Sequence, residues 1–556
     1  MTPATQPPVA QGHTQPEMQS PVLVLSQGWQ SFFPNQVNES SQAMAATLHE
    51  QLTRIVLPGF LANQRWFAAK GERIESVAII QQAIWKGKRE WLLAQAQVTS
   101  PYAGTQTYSL PLALAWEQDG AESLSARRAD TLARVRQNDR RGILYDAFAD
   151  ETFCQDLLAA MGQQALVPVA GGLLKFSSTA AFARLAGDNP LRLPVRRATA
   201  ASSNTTILLG DRLFLKAYRR LRAGINPELE MGRFLTEVSP YSHIVPLAGA
   251  LEYQDTAGTI TALAMLQGFV ANQGDAWSYT LERLSRFLRD CVQRPAAIRA
   301  QLDTIHEAYM QQLWTLGRRT GELHRALAKT TGDPAFDPEP IGPADLQRWV
   351  QQVYAEAAQT LDQLERHLSR LPDAQQPGAQ RLLAARPAVL ARIQSLQPAA
   401  VEAVMTRYHG DYHLGQVLVA QNDFILIDFE GEPGRTLQER RRKHSPLRDV
   451  AGMLRSFNYA ANSALSQVAV DQPAAATLLE PFVKDWEWGV RKAFLAGYRE
   501  AVQGCPVYPE DPQAAGTLLE LFLLEKAFYE LRYELDNRPD WVHVPLGGLS
   551  ELLLSP

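Results

Sequence analysis

The sequence predicts an α+β chain with two lobes behind an N-terminal α+β domain. Three stretches carry that prediction. Apolar runs flank Gly210-Asp211 in TTILLGDRLFLKAY, the pattern of a hairpin. From Trp277 to about Gln397 the Leu/Ala/Gln/Arg spacing is helical over a long reach. A short second hairpin, VLVA-QND-FILIDF, interrupts the helical part immediately after a loop containing His409-Gly410-Asp411.

Taken in order, residues 1–40 read as a disordered or linker-like extension, because the Pro, Gln and Thr at its start cannot bury enough apolar surface. Residues 41–195 form a mixed, sheet-containing domain, helical from Ser41 to Leu57 and strand-like in VAIIQQAIW, EWLLAQAQV and TYSLPLALAW. Residues 196–271 form a small β-rich lobe. Its single helix, NPELEMGRFLTEV, has Asn226 at the N-cap and Pro227 in the first helical position. Residues 272–556 form a large, mainly helical lobe with the loop and hairpin inside it.

Composition narrows the function classes. The 556 residues carry a net charge of −4, which argues against an extended nucleic-acid surface. The three cysteines, Cys154, Cys291 and Cys505, lie far apart with no CxxC, so neither a disulfide framework nor a zinc site is expected, and a reducing, cytoplasmic setting fits. The N-terminus has no basic and apolar leader, and Leu157–Phe176 is broken by glycines and Pro168, so neither export nor a membrane span is expected.

Asp411 lies just before the second hairpin and Asp428 at its end, 17 residues on. Antiparallel pairing returns the chain, so the two carboxylates come near each other. Phosphoryl transfer needs such a pair, one to accept or orient a hydroxyl proton and one to hold a divalent cation. Gln416 completes the expected metal set with Asp428. Upstream, Lys216 on a strand and Glu230 on the following helix fit a phosphate-binding lysine and the glutamate that orients it. The turn containing Ser203, Asn204 and Thr205 is not glycine-rich and reads either as a donor to phosphates or as an ordinary polar hairpin turn. Gln267, Phe269 and Val270 lie where a lobe-connecting hinge would meet adenine. No GxxxxGK[ST] occurs, which excludes a P-loop.

The blocks QRWFAAKG, SSNTTILLGDRLFLKAYRRLRAGINPELE, RYHGDYHLGQVL, IDFEGEP, KHSPLRDVAGMLRSFNYAA and LLEKAFYELRYELDNRPDWVHVPLGGL resemble the maltokinases from about residue 45 onward. That resemblance implies a bilobal, protein-kinase-like fold of the aminoglycoside-phosphotransferase type. It implies ATP and Mg²⁺, maltose as the acceptor, and maltose 1-phosphate for α-glucan synthesis from trehalose. It also implies a possible association or gene fusion with trehalose synthase. The sequence departs from the expected pattern in Ala201-Ser202 before Ser203-Asn204-Thr205, and from protein kinases in Glu430 and Gln416.

Lys526, Tyr529 and Tyr533 share one helix face at spacings of three and four, and the resemblance puts acceptor contacts on that helix. The tyrosines are read either as sugar platforms or as half-buried packing. His409 either meets the acceptor or braces the loop, and Arg448 and Asp449 position that loop by ion pairing. The run Arg440–His444 is read as solvated or as internal ion-pair partners. Two rivals remain: a kinase of another small hydroxylated acceptor, and a non-catalytic regulatory partner of trehalose synthase.

Overall fold

The computed structural model describes residues 22–33, 39–120, 124, 127–198, 203–299, 302–471 and 475–554. The chain divides into two compact units. The first runs to Ser178 and adds Ala186–Ala223 and Gly249–Leu266; the second holds Thr179–Leu185, Gly224–Ala248 and Gln267 onward.

The first unit contains two seven-stranded sheets. One is built from β1 (Val22–Val24), β2 (Ser76–Lys86), β3 (Glu90–Ser100), β4 (Gly104–Trp116), β5 (Thr131–Gln137) and β6 (Arg140–Asp146), in the order β1-β5-β6-β4-β3-β2. Period-two patterning puts Leu92, Ala94, Ala96 and Val98 of β3 on the same core as Tyr108, Leu110 and Leu112 of β4. Helices Glu39–Gln51 and Leu57–Ala62 close this face with Leu48, Leu57, Phe60 and Leu61.

Residues 1–21 and 34–38, part of the extension expected to be disordered, lie outside the described residues. Residues 22–33 correct that expectation. Val22–Val24 pairs in parallel with β5, and Leu23, Leu25 and Phe32 are buried. The run is visibly apolar but only a few residues long, and its pairing partner lies more than a hundred residues away.

The second sheet comprises β7 (Leu166–Val169), β8 (Gly172–Ser178), β9 (Val195–Arg197), β10 (Thr205–Leu209), β11 (Leu213–Ala217), β13 (Leu247–Asp255) and β14 (Ile260–Gly268), ordered β7-β8-β13-β14-β11-β10-β9. The boundary drawn at residue 195 is therefore corrected. β8 pairs along its whole length with β13, so residues 166–178 belong to the sheet of the small lobe. The hairpin at Gly210 forms as read, with Gly210 at φ 61° and Thr206 opposite Lys216.

Within this unit one residue ties the two sheets together. After β11 the chain forms β12 (Arg220–Leu221), which pairs with β4 of the first sheet. Just before it, Arg219 is fully buried. Its guanidinium donates to Asp146, to Thr205 Oγ1 at 2.7 Å and to the Ser109 carbonyl at 3.3 Å. The rings of Trp66 and Phe148 lie 4.7 and 4.9 Å from it. A desolvated guanidinium is tolerated only because a carboxylate and aromatic faces surround it.

The second unit is mainly helical. Helix Leu302–Leu327 packs against Ala476–Val502, and helices Pro343–His367, Leu447–Asp471 and Pro512–Asn537 complete the core. Two glycines set the closest approach: a Cβ at Gly317 would overlap the Phe494 carbonyl, and one at Gly497 that of Trp314. Strand β15 (Glu339–Pro340) pairs with β16 (Val404–Met405), and β17 (Val417–Ala420) with β18 (Asp423–Leu426) in the expected hairpin. Among the described residues no helix is long and apolar enough to cross a membrane.

Asp146→Asn removes the charge that balances Arg219. It is expected to cost about 3–5 kcal/mol, the usual penalty for stranding a buried charge. The readout is an earlier urea transition followed by tryptophan fluorescence, and an unchanged transition would show that Arg219 is not held by this pair.

Candidate active site

The loop between β16 and β17 is held by a buried carboxylate. Asp449, at the start of helix Leu447–Asp471, accepts from the amides of His409 at 2.7 Å and Gly410 at 2.9 Å, and from His324 Nε2 at 3.2 Å. Burial alone would raise the Asp449 carboxyl, but the His324 hydrogen bond and charge, with the Gly410 amide, bring it below its usual value. His324 Nδ1 meets Tyr498 Oη at 3.0 Å, which continues the chain into the helical core. Arg448 does not pair with its neighbour Asp449; it grips Glu525 and donates to Tyr408 Oη at 2.9 Å.

His409 is corrected as an acceptor ligand. It is buried, its Nε2 donates to the Ile427 carbonyl at 2.8 Å, and its Nδ1 accepts from the Asp411 amide at 3.4 Å. The ring also packs on Phe429, centroid to centroid 4.7 Å. Both nitrogens serve the protein, so His409 braces the two loops against each other.

The Asp428 loop adjoins it. The Ile427 amide donates to the Gln416 carbonyl at 3.0 Å, and β17–β18 pairing registers Val417 opposite Leu426. A Cβ on Gly410 would come within 3.2 Å of Gly431 Cα, so the loops touch through glycines, each at positive φ. Asp428 itself has φ 64°, a left-handed conformation that Asp tolerates better than most residues and that aims its side chain.

Gln416 Nε2 donates to Asp428 Oδ2 at 3.2 Å, so Gln416 presents its amide nitrogen to this carboxylate. Glu228 and Glu430 also bring oxygen donors near Asp428: ligand atoms of these three lie within 4.8 Å of one another. A set of carboxylate oxygens without nitrogen or sulfur suits a hard divalent cation such as Mg²⁺.

Glu228 was missed in the sequence, and Glu230 is corrected. Both sit on helix Pro227–Arg233, two residues apart and hence on different faces. Glu230 is occupied by Arg407 and Arg441, at 2.6 to 2.8 Å, and is not available to orient a strand lysine. Glu228 is buried and faces Asp428. The Glu-Leu-Glu pattern offers two candidates, and only the packing distinguishes them.

On the other side, Lys526 of helix Pro512–Asn537 approaches Asp411 Oδ1 at 3.6 Å and Glu432 Oε1 at 3.4 Å, with its ammonium 4.7 Å from the Tyr529 ring centroid. Burial works against both charges. The carboxylates nevertheless hold Lys526 above its usual range, and Lys526, Arg435 and Arg448 bring Glu432 down to about 2. A cavity of about 30 Å³ reaches between Gly410, Glu432, Arg435 and Tyr529. That enclosed space is room for a water or two. Tyr533, a turn beyond Tyr529, is 45% exposed and carries Arg538 on its ring. It does not line this cavity.

The nucleotide candidates of the first unit fall into two groups. Lys216 is half-buried on β11, its ammonium 5.6 Å from the Tyr218 ring centroid, and Ser203 is exposed beside Asn204. Thr205 is corrected as a phosphate ligand through its side chain: the alternation of β10 turns it inward, where its hydroxyl accepts from Arg219. In the second unit Gln267 lies at the end of β14, and half-buried Phe269 and Val270 follow. Most of the basic run resolves into ion pairs and packing, with Arg442 left exposed: Arg441 pairs with Glu230, Lys443 with Glu339 at 2.6 Å, and His444 stacks on Trp349.

Residues 60–150 match the maltokinase N-terminal cap domain. Two glucosamine kinases are similar over most of their length. That of Streptacidiphilus jiangxiensis is 22% identical over 408 residues, covering 72% of this chain and 80% of that protein. That of Mycolicibacterium smegmatis (strain ATCC 700084 / mc(2)155) is 24% identical over 361 residues, covering 64% and 79%. The solved structure of a glucosamine kinase in complex with glucosamine, ADP and inorganic phosphate superposes with a TM-score of 0.58 at 19% identity, over 89% of this chain and 99% of that one. The chain has the kinase-type fold of that structure, with an N-terminal segment of the maltokinase cap type. The matched cap segment begins at Phe60, takes in the QRWFAAKG block with Trp66 and runs through β2–β6.

The stability that Glu432 contributes is complete above its ordinary value of 4.5 and is lost as pH falls toward about 2. Lys526→Met removes the principal charge holding that carboxyl down. Acid unfolding followed by circular dichroism is therefore expected at higher pH in the variant. A midpoint that stays in place would show that Lys526 does not hold Glu432.

Proposed function

We propose that this protein is a sugar kinase that transfers phosphate from ATP to the anomeric hydroxyl of maltose, giving maltose 1-phosphate and ADP. The observation that carries the reading is the maltokinase-type cap in the same chain as the Asp411 and Asp428 loops.

In this reading the acceptor hydroxyl sits at Asp411, which orients it and takes its proton as the new P–O bond forms. The anomeric hydroxyl is more acidic than an ordinary alcohol, so a carboxylate suffices as base. Lys526 and Tyr529 border the acceptor, one donating to sugar oxygens and the other offering a ring face to pyranose C–H groups. Lys216, with Ser203 and Asn204, is assigned to the nucleotide phosphates, and the backbone of Gln267, Phe269 and Val270 to adenine. A divalent cation such as Mg²⁺, held by Asp428 with Glu228 and Glu430, would neutralise charge on the transferred group. The remaining work of these residues is positioning and electrostatic stabilisation. A cytoplasmic role in α-glucan synthesis from trehalose, and an association with trehalose synthase, belong to the same proposal.

A second reading, an amino-sugar kinase, is favoured by the likeness to glucosamine kinases. The Lys526 ammonium beside Asp411 works against it, because it repels a cationic acceptor at the carboxylates that would bind one.

The test is ³¹P NMR of the protein with ATP, Mg²⁺ and maltose, glucosamine, glucose or trehalose in parallel. A sugar 1-phosphate signal with maltose alone is expected. A signal with glucosamine alone would replace this reading with the second. Asp411→Asn is expected to lower kcat about 10²–10⁴-fold, the usual contribution of a general base, with the KM for ATP little changed. Undiminished turnover in that variant would remove Asp411 from the chemistry.

A further inference from the structure

Glu230 is free of the role expected of it and engaged in another. Its helix, Pro227–Arg233, is capped by Asn226, whose Oδ1 accepts from the Leu229 amide at 3.1 Å. The Glu230 carboxylate is 14% exposed. Its Oε2 accepts from Arg407 Nη1 at 2.7 Å and Arg441 Nε at 2.8 Å, and its Oε1 from Arg441 Nη2 at 2.6 Å. The Arg441 contact is the two-bond fork that fixes a guanidinium and a carboxylate in one plane.

The two arginines come from the two loops of the candidate site. Arg407 is 2% exposed and directly precedes Tyr408, His409 and the Asp411 loop. Arg441 follows the short helix Leu437–Arg440, downstream of Asp428 and Glu430. Its neighbour Arg440 donates to the carbonyls of Glu430 at 3.2 Å and Pro433 at 2.7 Å, which ties that segment down. A second contact supports the helix: Phe234, in the turn that continues it, stacks at 3.9 Å on Phe336, and the Arg407 guanidinium lies 5.0 Å from the same Phe336 ring.

Two guanidinium groups thus converge on one carboxylate with little water. Arg407 Nε is buried without a hydrogen-bond partner among the described residues, so the anion carries most of the compensation at this point. Without it, the arginines repel each other and the helix loses its charged anchor. Glu228 leaves the same helix on its other face and sits in the carboxylate cluster with Asp428 and Glu430.

We propose that Glu230 is a positioning residue, a latch that bridges Arg407 and Arg441 and so holds Glu228 in the cation-binding cluster. The role rests on the phosphotransfer reading above, and it works through Glu228 without Glu230 touching the reacting groups.

Three measurements on full-length protein test it: Mn²⁺ affinity by electron paramagnetic resonance with a non-hydrolysable ATP analogue, hydrogen exchange of residues 227–238, and steady-state kinetics. In Glu230→Gln, Mn²⁺ affinity is expected to fall at least about tenfold, because neutralising the carboxylate weakens all three of its guanidinium contacts. Exchange of the helix should be faster, kcat should fall, and the acceptor KM should hold. Glu230→Asp should recover part of the affinity, which a merely structural site would not require. Arg441→Gln breaks only the more exposed arm and should shift the same quantities less. Folded Glu230→Gln with wild-type Mn²⁺ affinity and exchange would overturn the latch. If Glu230→Gln does not fold, unchanged Mn²⁺ affinity in Arg441→Gln overturns it. A wild-type protein that binds neither Mn²⁺ nor nucleotide would defeat the phosphotransfer reading instead, and helix exchange in Glu230→Gln would still decide whether the latch exists.

Discussion

The candidate site depends on Asp449 more than on any residue that would meet a substrate. A peptide loop of His-Gly-Asp has no regular partner for its amides, and buried amides without partners are costly. Asp449 takes two of them, and His324 with Tyr498 anchors Asp449 in the helical core. His409 then spends both ring nitrogens joining that loop to the Asp428 segment. Asp411 and Asp428, both half-buried, sit on loops fixed by groups that are committed to the protein.

The same device recurs wherever a charge is buried. Arg219 sits among Asp146, Thr205 and two aromatic rings; Glu230 lies between two arginines; Lys526 lies between two carboxylates. A buried ion pair adds little net stability over apolar packing, yet breaking one is expensive. Such pairs suit a molecule that must hold loops in one arrangement. In the basic run Arg440–His444 the charges of Arg440, Arg441 and Lys443 are likewise committed, to backbone carbonyls, Glu230 and Glu339, while Arg442 is exposed.

Much was legible along the chain because it depends on local spacing. The Gly210 hairpin, the Asn226-Pro227 helix start and the β17–β18 hairpin follow from turn chemistry and alternation. The approach of the Asp428 segment to the His409–Asp411 loop followed from that second hairpin alone. Where the reading failed, the deciding partner was remote. Val22–Val24 becomes a strand through β5, and Leu166–Ser178 joins the second sheet through β13. Thr205 turns from the expected phosphates to Arg219.

The sequence by itself determined the Gly210 and β17–β18 hairpins, the helix start at Asn226 and the helix bearing Lys526 and Tyr529, because periodicity and turn residues act over a few positions. Only the tertiary structure decided which glutamate of Pro-Glu-Leu-Glu faces Asp428, that His409 is a brace, and that Tyr533 stands apart from Tyr529's cavity. Those outcomes depend on which face of a helix meets which neighbour. A spacing of two or four residues names the candidate faces, and only the packing of distant segments assigns each one its partner.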